Sequence, residues 1–87
     1  MRPIARKNDL VIKKDTGQIY IEDVANRKYI FLNPTSAYVW EKCDGNKDES
    51  AIAREMGEDL GVDVSEGFVS QIMNRLFAEE LLVPEFM

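Results

Sequence analysis

The change from strand to helix in this chain falls within residues 28–45, KYIFLNPTSAYVWEKCDG. Residues 28–32 are rich in the isoleucine and aromatic side chains that favour strands. Asn33 and Pro34 form a helix-start signal, because an Asn side chain accepts from a free backbone N–H and Pro at the first helical position has no donor to leave unpaired. Asp44 and Gly45 predict the end of this first helix, with the glycine as a left-handed cap.

Two further strands are predicted before this stretch, near residues 10–14 and 18–24. Residues 15–17, DTG, offer turn chemistry between them, and residues 25–27, ANR, offer a second turn. Two successive hairpins predict a three-stranded antiparallel meander that ends with the strand at 28–32.

Two more helices are predicted after residue 45. Asp48 and Ser65 are N-cap candidates, and Gly61 is suited to end the second helix. Apolar residues recur at helical spacing in both segments, and the apolar face of the third helix is predicted to run on to Leu81 and Leu82.

Strands followed by helices predict an α+β fold. Specifically, we expect a three-stranded antiparallel sheet followed by a three-helix winged helix-turn-helix bundle. The length of 87 residues suits a single domain over residues 1–87.

Composition argues against several classes of function. Lys and Arg total 11 against 16 Asp and Glu, a formal charge of -5, and such a surface repels the phosphates of nucleic acids. Histidine is absent and Cys43 is the one cysteine, so the usual catalytic and zinc-binding sets cannot be built from this chain. We therefore expect no enzyme activity, no cofactor, no metal and no nucleic-acid partner.

The chain also lacks the pattern of an export signal or a membrane anchor. No long apolar run follows the charged N-terminal residues, and no stretch of about 18 apolar residues occurs. We expect a cytoplasmic protein with no membrane contact.

Residues 28–32 carry large side chains on both faces of their strand. Ile30 and Leu32 belong with the stem of Lys28 on one face, while Tyr29 and Phe31 belong to the other. If helices cover one face, aromatic surface remains on the other. As the last strand of a meander it can also be an edge that accepts an added strand, unless it is central or the helices bury its aromatics.

The run at 29–45, YIFLNPTSAYVWEKCDG, resembles the PqqD family. Members of that family show a strand ending in Leu-Asn, a helix start with small residues, a Trp-Glu pair and an Asp-Gly stop. The sequences AIA at 51–53, LGV at 60–62 and ELL at 80–82 continue the resemblance, which covers roughly residues 10–83.

The resemblance implies a RiPP recognition element, a non-catalytic peptide chaperone. Such domains hold the leader of a ribosomally made precursor peptide as a strand added beside their third strand, in a groove bordered by the third helix. They present it to a modifying enzyme, often a radical S-adenosylmethionine protein. Pyrroloquinoline quinone biosynthesis ranks first as the namesake pathway, while lasso peptide and other pathways stay open.

Carried over by position, the resemblance implies peptide contacts on the strand and on the third helix. The expected residues are Lys28, Tyr29, Ile30, Phe31, Leu32, Phe68, Gln71, Ile72, Arg75 and Leu76. On a helical wheel Ile72 and Leu76 share the core face, and Phe68, Gln71 and Arg75 lie on a flank.

Arg75 is the candidate partner of an acidic leader residue. A simpler explanation is an exposed arginine paired with Glu79, four residues on. The runner-up function is a winged-helix nucleic-acid-binding regulator, which a cluster of basic residues on the third helix would favour; Arg75 alone is found there.

Overall fold

Three antiparallel strands and three helices make up most of this computed structural model, which describes residues 2–84. The predicted domain spans residues 1–87, so residue 1 and residues 85–87 lie outside the described part. The elements in chain order are β1 (Ile4–Ala5), β2 (Leu10–Asp15), β3 (Gln18–Asp23), β4 (Lys28–Leu32), α1 (Pro34–Lys42), α2 (Glu49–Leu60), α3 (Glu66–Ala78) and β5 (Leu82–Val83).

The predicted meander is confirmed as an antiparallel sheet with the order β2-β3-β4. Asp15 pairs with Gln18 across the first turn, and the two residues between them, Thr16 and Gly17, both have positive φ, at 54° and 81°. Positive φ at both positions defines a type I′ turn, whose twist matches that of the flanking strands. The turn chemistry of residues 15–17 therefore sets the register of the sheet.

All three predicted N-caps are confirmed. The side-chain oxygens of Asn33, Asp48 and Ser65 accept from the backbone N–H three residues on, at 2.9, 2.9 and 3.1 Å. Gly61 ends α2 in the left-handed conformation, as predicted, with φ 68°. Local hydrogen bonding thus fixes where each helix starts, as the sequence indicated.

The core lies between the sheet and the helices. Ile19 and Ile21 of β3 contribute from the sheet, and Val39 and Trp40 of α1 lie against them in one buried cluster. The indole N–H of Trp40 donates to the carbonyl of Leu81 at 2.9 Å, so the one polar group of this large buried side chain is hydrogen-bonded. The helices cover one face of the sheet, and the α+β prediction is confirmed.

The predicted end of the third helix is wrong. α3 stops at Ala78, because Glu80 takes the left-handed conformation at φ 62° and its N–H donates to Phe77 O. Leu81 N donates to Leu76 O at 2.9 Å, which completes a Schellman motif. Leu82 then enters β5 instead of extending the helix.

A small second sheet, absent from the sequence prediction, joins the two ends of the described chain. β1 pairs with β5, with Ile4 opposite Val83. Ala5 N also donates to Cys43 O at 2.8 Å, and Ile4 bridges to Asp44. This pairing draws the chain out of the helix after Lys42, two residues before the predicted end at Asp44 and Gly45.

A buried ion pair holds the N-terminal segment against the β3–β4 hairpin. The Arg6 guanidinium donates to both carboxylate oxygens of Asp23, at 2.9 and 3.1 Å, and the Asp23 side chain is 0% exposed. Asn26 donates to the same carboxylate from its backbone and its side chain. Arg6 also donates to the carbonyl of Glu80 at 3.2 Å, so the network reaches the end of α3.

This network predicts a loss of stability in acid. Hydrogen bonds from Arg6 and Asn26 hold the pKa of Asp23 well below its usual range, so the carboxylate stabilises the fold above its ordinary pKa of 3.8 and this contribution is lost as the pH falls below that value. We expect Asp23→Asn to lower the free energy of unfolding at neutral pH and to flatten its dependence on pH below about 4.

Denaturant unfolding measured across pH values checks this. Asp44→Asn is the control, because Asp44 forms an exposed pair with Lys47 and its loss should have the smaller effect. Equal effects of the two substitutions would contradict the role of the buried pair.

Candidate functional site

The edge of the sheet at β4 presents free backbone groups. Val24 N donates to Asp9 O at 3.0 Å, so the even-numbered residues of β3 direct their backbone groups toward β2. The odd-numbered residues of β3 then bond to the even-numbered residues of β4. The N–H and C=O groups of Tyr29 and Phe31 therefore point outward, where another extended chain can pair with them.

The face of the sheet turned away from the helices carries aromatic side chains. Tyr29 is 82% exposed and Ile30, its neighbour on the other face, is 8% exposed, as the alternation predicted. The rings of Tyr20 and Phe31 lie 5.2 Å apart between centroids. These rings and Val11 line a cavity of about 380 Å³ on the outer face.

The C-terminal end of α3 lies near the start of β4. Lys28 Nζ at the start of β4 lies 3.9 Å from Glu79 Oε2 at the end of α3. Phe68, Ile72 and Arg75 precede Glu79 at spacings that place all four on one side of the helix. We call the space between this stripe and the outward backbone of β4 the groove.

The groove has matched lengths on its two sides. Phe68 and Glu79 are eleven residues apart, about 16 Å along a helix. The five residues of β4 extend over a similar length, since a strand rises about 3.3 Å per residue. An added strand of about five residues therefore matches both elements in length.

The predicted contact residues fall into two groups in the structure. Ile30, Leu32 and Leu76 are buried in the core, so their side chains support the groove from beneath. The others that the resemblance implied are partly or largely accessible: Lys28, Tyr29, Phe31, Phe68, Gln71, Ile72 and Arg75. Of these accessible residues on α3, Gln71 lies farthest around the helix from the stripe.

The simpler explanation of Arg75 is wrong for the described part of the chain. Glu79 lies near Lys28, and Arg75 forms no ion pair within residues 2–84. Arg75 is exposed on the stripe. Its guanidinium is therefore available to an external carboxylate.

The sequence that forms β4 and α3 also shows to which protein family the chain belongs. Residues 19–82 match the family model described as Coenzyme PQQ synthesis protein D (PqqD). The match extends from β3 to the first residue of β5 and includes both sides of the groove.

This chain belongs to the PqqD family.

A solved structure shares the fold of this PqqD-family chain. It is TbiB1 in complex with the TbiA(beta) leader peptide, with a TM-score of 0.70 and 14% sequence identity. The alignment covers 91% of this chain and 94% of that one. At this identity the likeness shows a common fold. A comparison with curated protein sequences gave no match.

The described residues hold neither a metal-binding cluster nor a membrane span. Within residues 2–84 no three His, Cys, Asp or Glu side chains are grouped so that they could bind a metal ion. None of the helices in the same range combines the length and apolarity required to cross a bilayer.

Cys43, the single thiol of this PqqD-family chain, is a core residue. Its S–H donates to the carbonyl of Val39 at 3.1 Å, in agreement with the packing of a small apolar side chain. Burial raises the pKa of the thiol to about 12, and the charges of Asp44 and Glu49 act in the same direction. A thiol with this pKa is almost entirely protonated near neutral pH and is a poor nucleophile.

We expect Cys43 to resist alkylation in the folded protein. Iodoacetamide at pH 8 should label it at a rate set by unfolding, because the thiolate and the access it needs are both absent in the native state. Intact-mass measurement with and without denaturant checks this. Rapid labelling of the native protein would show that the α1 end opens far more readily than its packing indicates.

Proposed function

We propose that this chain is a peptide chaperone that binds the leader of a ribosomally made precursor peptide as a strand added to β4. The observation that carries the proposal is the outward-pointing backbone of Tyr29 and Phe31, on a strand whose first residue lies near the end of α3. Family membership supports it, and so does the shared fold with TbiB1, which was solved with a leader peptide.

Backbone pairing alone gives this site little affinity. Each main-chain hydrogen bond contributes about 0.5–1.5 kcal/mol net, because the free partners bond to water. Phe68 and Ile72 on the stripe offer apolar surface for side chains of the added strand. The leader sequences that bind should therefore alternate, with apolar side chains directed into the groove.

The domain acts as an adaptor in this proposal, and the chemistry belongs to a partner enzyme. The chain has no His and its thiol is buried, so it offers no catalytic set of its own. We propose a modifying enzyme of the radical S-adenosylmethionine type as that partner, in the cytoplasm, with residues 1–87 acting as one domain. The family description favours pyrroloquinoline quinone biosynthesis as the pathway.

We also propose that the sheet and helices form a winged helix-turn-helix arrangement, which stays a prediction. In DNA-binding proteins of that kind the recognition helix carries several basic residues. Arg75 is the one basic residue of α3, while Glu66 lies in its first turn. The net charge of -5 also disfavours binding to the phosphates of a nucleic acid, so we favour a peptide as the ligand.

Replacing Phe31 by proline tests strand addition. The N–H of Phe31 faces away from β3, so Phe31→Pro deletes a donor for the ligand and leaves the β3–β4 ladder intact. Phe31→Ala is the matched control, because it removes the ring and keeps the N–H. We expect leader affinity to fall about two- to tenfold further in Phe31→Pro than in Phe31→Ala, the contribution of one hydrogen bond.

Amide NMR titration with synthetic leaders of the precursors encoded beside the gene measures both affinity and location. Shifts should concentrate at residues 28–32 and along 68–77. Equal affinities of the two variants, or saturable shifts confined to other residues, would refute pairing at β4.

Charge reversal at Arg75 tests side-chain recognition separately. We expect Arg75→Glu to weaken a leader that carries an acidic residue about tenfold, and added salt to reduce the difference. Arg2→Glu is the control, since Arg2 is also exposed but lies before β1, outside the groove. Unchanged affinity and orientation in Arg75→Glu would remove Arg75 from the site and leave strand addition standing.

A further inference from the structure

Three apolar side chains stand exposed around a cavity where α2 turns into α3. Leu60 is 60% exposed, Val62 57% and Phe68 44%. The cavity has a volume of about 610 Å³. Its remaining lining residues are Thr35, Met56, Asp63, Val64 and Ser65. A concave apolar surface of this kind is typical of a binding site, whereas single exposed apolar residues are common.

The backbone of the turn holds two of these side chains outward. Gly61 N and Val62 N both donate to Gly57 O, at 2.8 and 3.2 Å. A Cβ at position 57 would lie 2.8 Å from Val62 O, so only glycine permits this close approach. The exposure of Leu60 and Val62 is therefore set by a hydrogen-bonded turn.

The cavity continues the groove beyond the end of β4. Phe68 belongs to both, since it begins the stripe on α3 and lines the cavity. Thr35, three residues after the end of β4, also lines the cavity. An extended chain advances about 3.3 Å per residue, so a strand paired with β4 reaches the cavity within a few more residues.

Acidic residues outnumber basic residues around the cavity. Asp63 is the charged residue in its lining. Residues 55–66, EMGEDLGVDVSE, contain five acidic residues and no basic one. Burial raises the pKa of Tyr38 and its hydrogen bond to Asp59 raises it further, with smaller contributions from the carboxylates of Glu55 and Glu58. Two basic residues lie nearby: Arg54 lines the adjoining depression, which shares Val62, Asp63 and Val64 with the cavity, and Lys42 lies 3.8 Å from Glu55. The surroundings therefore favour a cationic neighbour for any apolar group in the cavity.

We propose that this cavity is an anchor subsite that takes one apolar side chain of the leader, next to a Lys or Arg that faces Asp63. The inference rests on the proposed strand addition and extends it by naming a second recognition element. Together with Arg75, it assigns opposite charge preferences to the two ends of the groove. The leader is thus recognised by a basic-apolar pair at the α2–α3 turn and an acidic residue nearer the end of α3.

The test uses peptides selected by the wild-type protein from a displayed library of random peptides about twelve residues long, enough to span the groove and the cavity. Selected peptides are synthesised and titrated into Val62→Ser and Val11→Ser. The two valines form a matched pair, because they are 57% and 54% exposed and lie at the cavity and on the outer sheet face. Leu60→Ser is a second variant at the cavity.

We expect the selected peptides to share an apolar residue beside Lys or Arg. Val62→Ser and Leu60→Ser should each bind them about tenfold more weakly, whereas Val11→Ser should change affinity less than about twofold. Replacing the basic residue of the peptide by Gln should weaken binding to the wild type but not to Asp63→Asn.

Each contrary result has a distinct meaning. Wild-type affinity in both cavity variants, with amide shifts still present at β4, overturns the anchor and leaves strand addition intact. A loss confined to Val11→Ser overturns the anchor and places the apolar contact on the outer face. Selected peptides that produce no shifts at β4 overturn strand addition, and the anchor that rests on it.

Discussion

The buried pair between Arg6 and Asp23 is the constraint on which the arrangement of the groove depends. Asp23 ends β3, one turn before β4 begins, and Arg6 also bonds to the carbonyl of Glu80, just after α3. One guanidinium thus connects the hairpin that carries the β4 edge with the helix that faces it. A carboxylate with no exposed surface is tolerable because it accepts four hydrogen bonds, two from Arg6 and two from Asn26. The start of β4 and the end of α3 are fixed relative to each other by this pair.

The two edges of the sheet differ in a way that suits one of them for binding. β2 carries Lys13 and Lys14 in succession, charges of the kind that discourage pairing with other chains. β4 carries its one charge at its first residue, and Lys28 is held beside Glu79. From Tyr29 to Leu32 the edge is uncharged and the adjoining helix flank is largely apolar. An uncharged edge of this kind would make an isolated sheet prone to aggregation. Here it can accept a single peptide strand, and α3 limits access from one side.

Local chemistry explains what the sequence could predict. The caps at Asn33, Asp48 and Ser65 and the alternation along β4 depend on neighbouring residues, so the helix starts and the two faces of the strand were predicted correctly. The end of α3 was missed because a glutamate, not a glycine, takes the left-handed position at Glu80. The pairing of β1 with β5 was missed because two-residue strands show no periodicity. The pairing of Glu79 with Lys28 and the exposure of Leu60 and Val62 depend on tertiary packing, which short sequence patterns do not predict.

The placement of Trp40 gives the protein a natural optical reporter. It is the one tryptophan of the chain, fully buried, with its indole bonded to Leu81 and the Lys7 ammonium 4.1 Å from the ring centre. None of these contacts belongs to the groove or to the cavity. Fluorescence of this indole therefore follows the integrity of the core independently of occupancy at the peptide site, so unfolding can be measured in the unlabelled protein with or without a bound leader.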